Sequence, residues 1–378
     1  MAADGTPRMK IPLRDLKAEY QTVKGEVQEA VGKVLEGMTL YMGPNIRALE
    51  AEFAAYAGAR HAVGASSGTD AILLALMALG VKAGDEVIVP SHTFIASVAP
   101  IVLLGGTPVF VDIDPGTYNL DPGLLPGLLT KRTKGILAVH LYGQPAEMDP
   151  ILDFARRRGL WGVEDACQAV GAEYRGRRVG RLGDMGCFSF VYTKNLTGYG
   201  DAGIVTTDDS RLAGLLQMLC DHGRADKYRH EVFGLNARLG EIEAAILRVQ
   251  MKHQEARTEA RRRNARYLGE LLRTAGFVAP VEMSHVRHVY HQYVIRSSRR
   301  DALAAHLGRL GVQTGIHYPI PCHLQTPCAP FTSGKGHLPH TERAAGEILS
   351  LPVYPELTQE QLEYMGEAVA SFPRGGAG

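Results

Sequence analysis

The sequence predicts an α/β protein in which a mostly parallel sheet is covered by helices and followed by a smaller α+β domain. Three observations predict it. Over the first two thirds of the chain, short apolar runs alternate with longer amphipathic segments, the pattern of strand-helix-strand units. The stretch Val87–Val111 contains no Asp, Glu, Lys or Arg. Pro90, Pro100, Pro108 and Gly105-Gly106 cut it into strand, helix and strand lengths, whereas a membrane span needs about 20 continuous apolar residues; it reads as the buried centre of a domain. Finally, 378 residues exceed the roughly 100–200 of one domain.

The elements follow in order. MAADGTPRMK has no apolar stretch behind its charges, so residues 1–11 read as a flexible tail rather than a signal peptide. Strands are expected at His61–Val63, Glu86–Val89, Pro108–Val111, Gly135–Val139, Leu160–Val163, Gly186–Phe190 and Ile204–Thr206, which makes seven. Between several of them lie the helical patterns Ala71–Leu79, Thr93–Leu104 and Asp149–Arg158. A long helical stretch rich in Arg and Glu runs from Leu239 to about Leu272, and its block Arg261–Arg263 reads as a solvated face. Beyond it come a strand-like Val289–Ile295, a helix Arg299–Leu310, a Pro-rich loop His317–Pro330 and a last helix from about Thr358. The domain boundary is placed near residue 250, giving a large domain over 12–250 and a small one over 251–378.

Composition narrows the function. With 41 Lys plus Arg against 40 Asp plus Glu, the formal charge is +1; this excludes a broad field for nucleic acid or a membrane surface, so any phosphate must be held by local geometry. The five cysteines are odd in number and contain no C-x-x-C pair, which argues against a disulfide framework and for a reduced, cytoplasmic protein. Cys322-His323 with Cys328 lacks a second ligand pair, so no metal site is expected.

Three segments carry chemistry. In an open α/β sheet, ligands bind beyond the carboxyl ends of the strands. Ser66-Ser67-Gly68-Thr69-Asp70 precedes a helix, where free N–H groups and the positive dipole end make an anion site; a plain N-cap has the same sequence. Glu164-Asp165 follows a strand, and an acid there can form a salt bridge, bind metal or keep a heterocyclic nitrogen protonated. Gln168 would share a helical side with Asp165. Phe188-Ser189-Phe190-Val191-Tyr192-Thr193-Lys194-Asn195 leaves another strand with a lysine whose partial burial lowers its pKa and makes the amine nucleophilic. Gly198-Tyr199-Gly200-Asp201-Ala202-Gly203 matches the dinucleotide fingerprint but leads into a strand instead of opening a helix, so it does not read as a NAD site.

Taken together, GASSGTDAILLAL, DEVIVPSHTFIAS, VHLYGQPAEMDPI, VEDACQAVGAEYRGRRVG, GDMGCFSFVYTKNLTGYGDAGIVTT, GLNARLGEIEAAIL and IHYPIPCHLQ resemble the DegT/DnrJ/EryC1/StrS family of sugar aminotransferases, pyridoxal-phosphate enzymes of the aspartate-aminotransferase fold (fold type I). VHLYGQP and HYPIPCHLQ are similar to the branch making 3-amino-3,6-dideoxyhexoses on thymidine diphosphate. The resemblance implies that Lys194 bonds the cofactor's aldehyde carbon, Asp165 pairs with its pyridine nitrogen and Gln168 meets its phenolic oxygen. It also implies that Ser67, Gly68, Thr69 and Ser189 hold the phosphate, with Phe94 against the ring. Asn236 would reach the phosphate from a second subunit, so a homodimer with a shared site is implied. Tyr228, Tyr318 and His323 match positions near the sugar or nucleotide. Retention of lysine favours transamination, because dehydrating relatives replace it with histidine. Val191-Tyr192 and Thr197-Gly198 depart from the commoner residues beside the lysine.

The activity implied is amino transfer from L-glutamate or glutamine, through pyridoxamine phosphate, to a nucleotide-linked keto-deoxysugar, a dTDP-3-keto-6-deoxyhexose. A keto-inositol acceptor, or a non-catalytic sensor that keeps the fold, are the alternatives.

Overall fold

The computed structural model describes residues 9–373. Two helices, α1 (Leu16–Gly37) and α2 (Pro44–Ala57), precede the first strand. Then come β1 (His61–Ala65), α3 (Gly68–Ala78), β2 (Glu86–Pro90), α4 (Ala99–Leu103), β3 (Thr107–Val111), α5 (Leu125–Leu128), β4 (Thr133–Val139), α6 (Met148–Arg157) and β5 (Trp161–Asp165). A hairpin of β6 (Glu173–Tyr174) and β7 (Arg177–Arg178) leads to β8 (Met185–Ser189), β9 (Gly203–Thr207) and α7 (Ser210–Leu219).

Seven of these strands form one sheet in the order β1-β9-β8-β5-β4-β2-β3. Only β9 runs against its neighbours, pairing antiparallel with both β1 and β8. The strands β2, β3, β4, β5 and β8 pair parallel, so their carboxyl ends share one edge. Their short apolar runs are buried on both faces: every residue of β2, β8 and β9 is buried, as expected for a sheet covered on both sides.

The helix α8 (Glu241–Thr274) leaves the sheet domain. Its Ala244 and Leu247 pack with Phe53, Phe188 and Phe190, whereas its Ala265, Leu268 and Leu272 pack with Tyr293, Leu303 and Val369 in a second core. That second core is built on β11 (Tyr293–Arg296), α9 (Arg300–Arg309), β12 (Ile348–Leu351) and α11 (Gln359–Ala370), with β11 and β12 antiparallel; α10 (Pro339–Glu347) precedes β12, and the short β10 (Val286–Arg287) pairs with β6.

Several expectations are corrected. Of the tail expected over 1–11, residues 1–8 lie outside the described residues. Ile11 is not loose: it is fully buried in the second core and forms a parallel bridge with Val312. The single helix expected at Thr93–Leu104 is divided into a 3-10 turn at Ile95–Ser97 and α4, because Pro100 offers no N–H to continue a helix. The strand expected at Val289–Ile295 begins only at Tyr293, since Tyr290 adopts a positive φ of 46°. Arg261 does not lie on a solvated face: it is 6% exposed and donates to the Val353 carbonyl. Its turn of α8 faces the segment after β12.

Candidate active site

The shared carboxyl edge of the sheet opens into a cavity of about 350 Å³ between the start of α3, the end of β5 and the loop after β8. Gly68 and Thr69 of α3 form one wall. Ser67 is the N-cap, its Oγ accepting from Asp70 N at 3.1 Å. The close approach here requires glycine: a Cβ on Gly68 would stand 2.5 Å from Ser189 Cβ. Gly68 therefore leaves the helix N-terminus and the Ser189 hydroxyl open to the same space, a ready anion cradle.

Asp165 ends β5 and lies on the cavity floor, 5% exposed. Its Oδ2 accepts from Ser97 Oγ at 2.6 Å and its Oδ1 from Cys167 N at 3.1 Å. It forms no ion pair among the described residues. Alternation along β5 sends Glu164 to the opposite face. There it is fully buried and accepts from the backbone N–H groups of Gly180, Leu182 and Gly183, at 2.8, 2.7 and 2.9 Å, with His140 Nε2 at 3.0 Å. The two adjacent acids therefore divide: Glu164 fixes structure and Asp165 faces the cavity.

Lys194 enters the cavity from the loop between β8 and β9. Burial lowers its ammonium below the ordinary lysine value; Cys167 and Asp165 act in the opposite sense, and the Arg14 guanidinium adds to the lowering. A half-buried amine and a buried carboxylate thus share one cavity without pairing to each other.

Gln168 reaches the cavity from a turn, not from the helix expected after Asp165. Its Oε1 accepts from Tyr142 N at 2.7 Å and its Nε2 donates to Tyr318 Oη at 3.2 Å. Burial pushes the Tyr318 phenol up, so it stays protonated. Phe94 is half exposed at the mouth, its ring centroid 5.5 Å from that of Tyr318.

The structure therefore gathers Ser67, Gly68, Thr69, Phe94, Asp165, Gln168, Ser189, Lys194 and Tyr318 around one space. Three expected residues lie elsewhere in this chain. Asn236 is exposed, bridged to Asp221, and Tyr228 is 82% exposed on the loop before it. His323 does not line the cavity: it is 1% exposed, its Nδ1 2.6 Å from Ser91 Oγ and its Nε2 3.3 Å from Glu342 Oε1. It anchors the Pro-rich segment to the end of β2. Ser97, Cys167 and Asp201 also line the cavity and were not singled out from the sequence. Ser97 is legible only as a hydroxyl in an otherwise apolar run.

No group of three or more metal-ligating side chains occurs among the described residues, and no described helix is long and apolar enough to cross a membrane. Gly198–Gly203 leads into β9 and opens no helix, as the sequence indicates.

Pyridoxal phosphate fits the donor set. The glycine cradle and hydroxyls suit a phosphate, a carboxylate without an ion pair among the described residues suits a protonated ring nitrogen, and an amine whose ammonium form burial disfavours suits an aldehyde carbon.

The model of the DegT/DnrJ/EryC1/StrS aminotransferase family matches residues 21–370. The chain is 44% identical, over 97% of its length and 97% of the relative's, to a dTDP-3-amino-3,4,6-trideoxy-alpha-D-glucose transaminase of Streptomyces venezuelae. It is 42% identical, over 94% of its length and 96% of the relative's, to a UDP-N-acetyl-3-dehydro-alpha-D-glucosamine 3-aminotransferase of Acidithiobacillus ferrooxidans. The crystal structure of S. venezuelae DesV in complex with a ketimine intermediate superposes with a TM-score of 0.93 at 43% identity, covering 97% of this chain and 98% of that one.

Proposed function

Because this chain belongs to the DegT/DnrJ/EryC1/StrS aminotransferase family, and is therefore a pyridoxal-phosphate-dependent transaminase of fold type I, we propose that it moves an amino group from L-glutamate, or glutamine, to a nucleotide-linked keto-deoxysugar. The acceptor proposed is a dTDP-3-keto-6-deoxyhexose in amino-sugar biosynthesis, and the enzyme acts as a cytoplasmic homodimer. The observation that carries the reading is the unpaired amine of Lys194 and carboxylate of Asp165 in one cavity with the α3 cradle.

In this reading Ser67, Gly68, Thr69 and Ser189 receive the phosphate at the helix N-terminus, joined by Asn236 of the partner subunit. Bound there, the cofactor supplies an electron sink for the carbon that loses a proton. Asp165, held by Ser97 and Cys167 N, keeps a proton on the ring nitrogen, and Gln168 donates toward the phenolic oxygen. Lys194, whose ammonium form burial disfavours, would take the proton from the amino-bearing carbon and return it across the intervening nitrogen, as general base and then acid. Phe94 and Tyr318 cover the ring face and exclude water. Tyr228 of the partner subunit is assigned to the nucleotide. His323 takes a supporting role, holding the segment that carries Tyr318.

The test supplies purified protein with pyridoxal phosphate, either amino donor, and three acceptors: a dTDP-3-keto-6-deoxyhexose, a UDP-linked 3-keto sugar and a keto-inositol. Amination of the dTDP sugar supports the proposal; turnover of the keto-inositol alone rejects it. Lys194→Ala is expected to lower turnover by at least about 10³-fold and to abolish borohydride trapping of the cofactor. Indifference to that substitution would make the protein a sensor rather than an enzyme.

A further inference from the structure

The N-terminal segment belongs to the second core yet reaches back to the lysine loop. Ile11 N donates to Gly311 O and Gln313 N donates to Ile11 O, both at 2.9 Å, so the segment is stitched to the turn that follows α9. Three residues later, Arg14 Nη2 donates to Thr197 Oγ1 at 2.5 Å and to Glu19 Oε2 at 2.7 Å. Thr197 is fully buried, and its hydroxyl donates to the Lys194 carbonyl at 2.9 Å. Arg14 Nε is buried without a hydrogen-bond partner among the described residues. Since an unsatisfied buried donor is costly, the bonds to Thr197 and Glu19 are what keep the guanidinium in place.

We propose that Arg14 is a positioning residue for the reaction: through the Thr197 hydroxyl it fixes the loop that presents Lys194 and couples that loop to the small domain. The inference rests on the assignment of Lys194 as the cofactor lysine.

The guanidinium also faces the amine electrostatically. The groups that act on Lys194 are Asp165, Cys167, His291, His317 and Arg14. Burial holds the Cys167 thiol protonated and both imidazoles neutral, His317 being lowered to about 4. Arg14 is then the one cation in this set, and it opposes the pull of Asp165. Glu19 does not cancel it alone, because Glu19 Oε1 also lies 3.6 Å from Arg257.

The experiment uses the full-length protein without cofactor. Labelling of Lys194 by a neutral amine reagent is followed against pH by peptide mass spectrometry, and amide hydrogen exchange is read over residues 191–200. Removing the charge in Arg14→Gln should raise the Lys194 pKa and slow labelling about threefold at pH 8, the size expected for one solvent-screened charge. Arg14→Lys should restore the rate. Thr197→Val should speed exchange of the loop, and Thr197→Ser should behave as the parent protein. Unchanged labelling in Arg14→Gln, equal slowing in both Arg14 variants, or an unaltered loop in Thr197→Val would each overturn the proposal. Should Arg14→Gln not fold, the Thr197 pair decides. Borohydride trapping of pyridoxal phosphate on the parent protein is read separately; its absence would remove the cofactor assignment and leave the labelling result standing.

Discussion

Glu164 and Asp165 are neighbours in sequence with opposite tasks, and the strand's two-residue period explains why. The sequence leaves open which acid faces ligand, because alternation says only that they face apart. The choice is made by the loop 180–183, whose three backbone N–H groups close on Glu164. An amide there would set an NH2 against those donors. Glu164→Gln is therefore expected to lose about 3 kcal/mol of stability, read by chemical denaturation, while leaving Asp165 in place; undiminished stability would show that the donors need no carboxylate. Arg261 and His323 are hidden for a related reason. Each is polar, and only the docking of the segments after β12 and β2 buries them. Lys194 is legible because its strand is: an apolar run that ends in a lysine leaves the amine at the edge where ligands gather.

At the scale of elements, the start of α3 is the most constrained. Ser67 caps it, and Gly68 meets Ser189 so closely that a methyl group there would stand 2.5 Å from Ser189 Cβ. Gly68→Ala should weaken pyridoxal phosphate binding at least about tenfold, a change of ~1.4 kcal/mol, measured by cofactor titration; an unchanged Kd would remove the cradle from the site. All seven strands of the main sheet are legible, since each is a short apolar run between turns, with boundaries within about two residues. The helices α1 and α2 are not singled out. Leu16, Tyr20, Val23, Val27, Val31 and Val34 do recur at helical spacing in α1, but Gly25, Gly32 and Gly37 interrupt the helix-forming residues between them. Tertiary contact supplies what propensity lacks: Val23 and Val27 pack on Ile246 and Val249 of α8. The failure at Val289–Ile295 differs in kind, because Tyr290 turns the chain against the loop at Tyr142 and Gly143, a long-range demand that no local pattern announces.

Across the whole molecule, buried histidines set the response to acid. Burial lowers His92 to about 4, His288 to about 3 and His317 to about 4, against an ordinary value of about 6.5. As pH falls below 6.5, the unfolded chain takes up protons that the folded one refuses. Stability is thus intact above about 6.5 and is lost toward pH 4, each imidazole contributing up to about 1.4 kcal/mol per pH unit. Calorimetry should show Tm falling across this window, and a flat Tm from pH 6.5 to 4.5 would contradict the burial of these rings. The long helix α8 is legible from its pattern, but the return of the N-terminal segment to the core around Tyr293 and Leu303 is not, because the partner of Ile11 at Val312 lies far along the chain. The reversed strand β9 carries a consequence for synthesis. His61 of β1 pairs with Thr207 of β9, and the wall at Gly68 is completed by Ser189 and Gly203. A nascent chain on the ribosome therefore holds β1 as an unmatched edge for about ten seconds at ordinary elongation rates, and during that interval half of the cavity waits for a strand that has not yet been made.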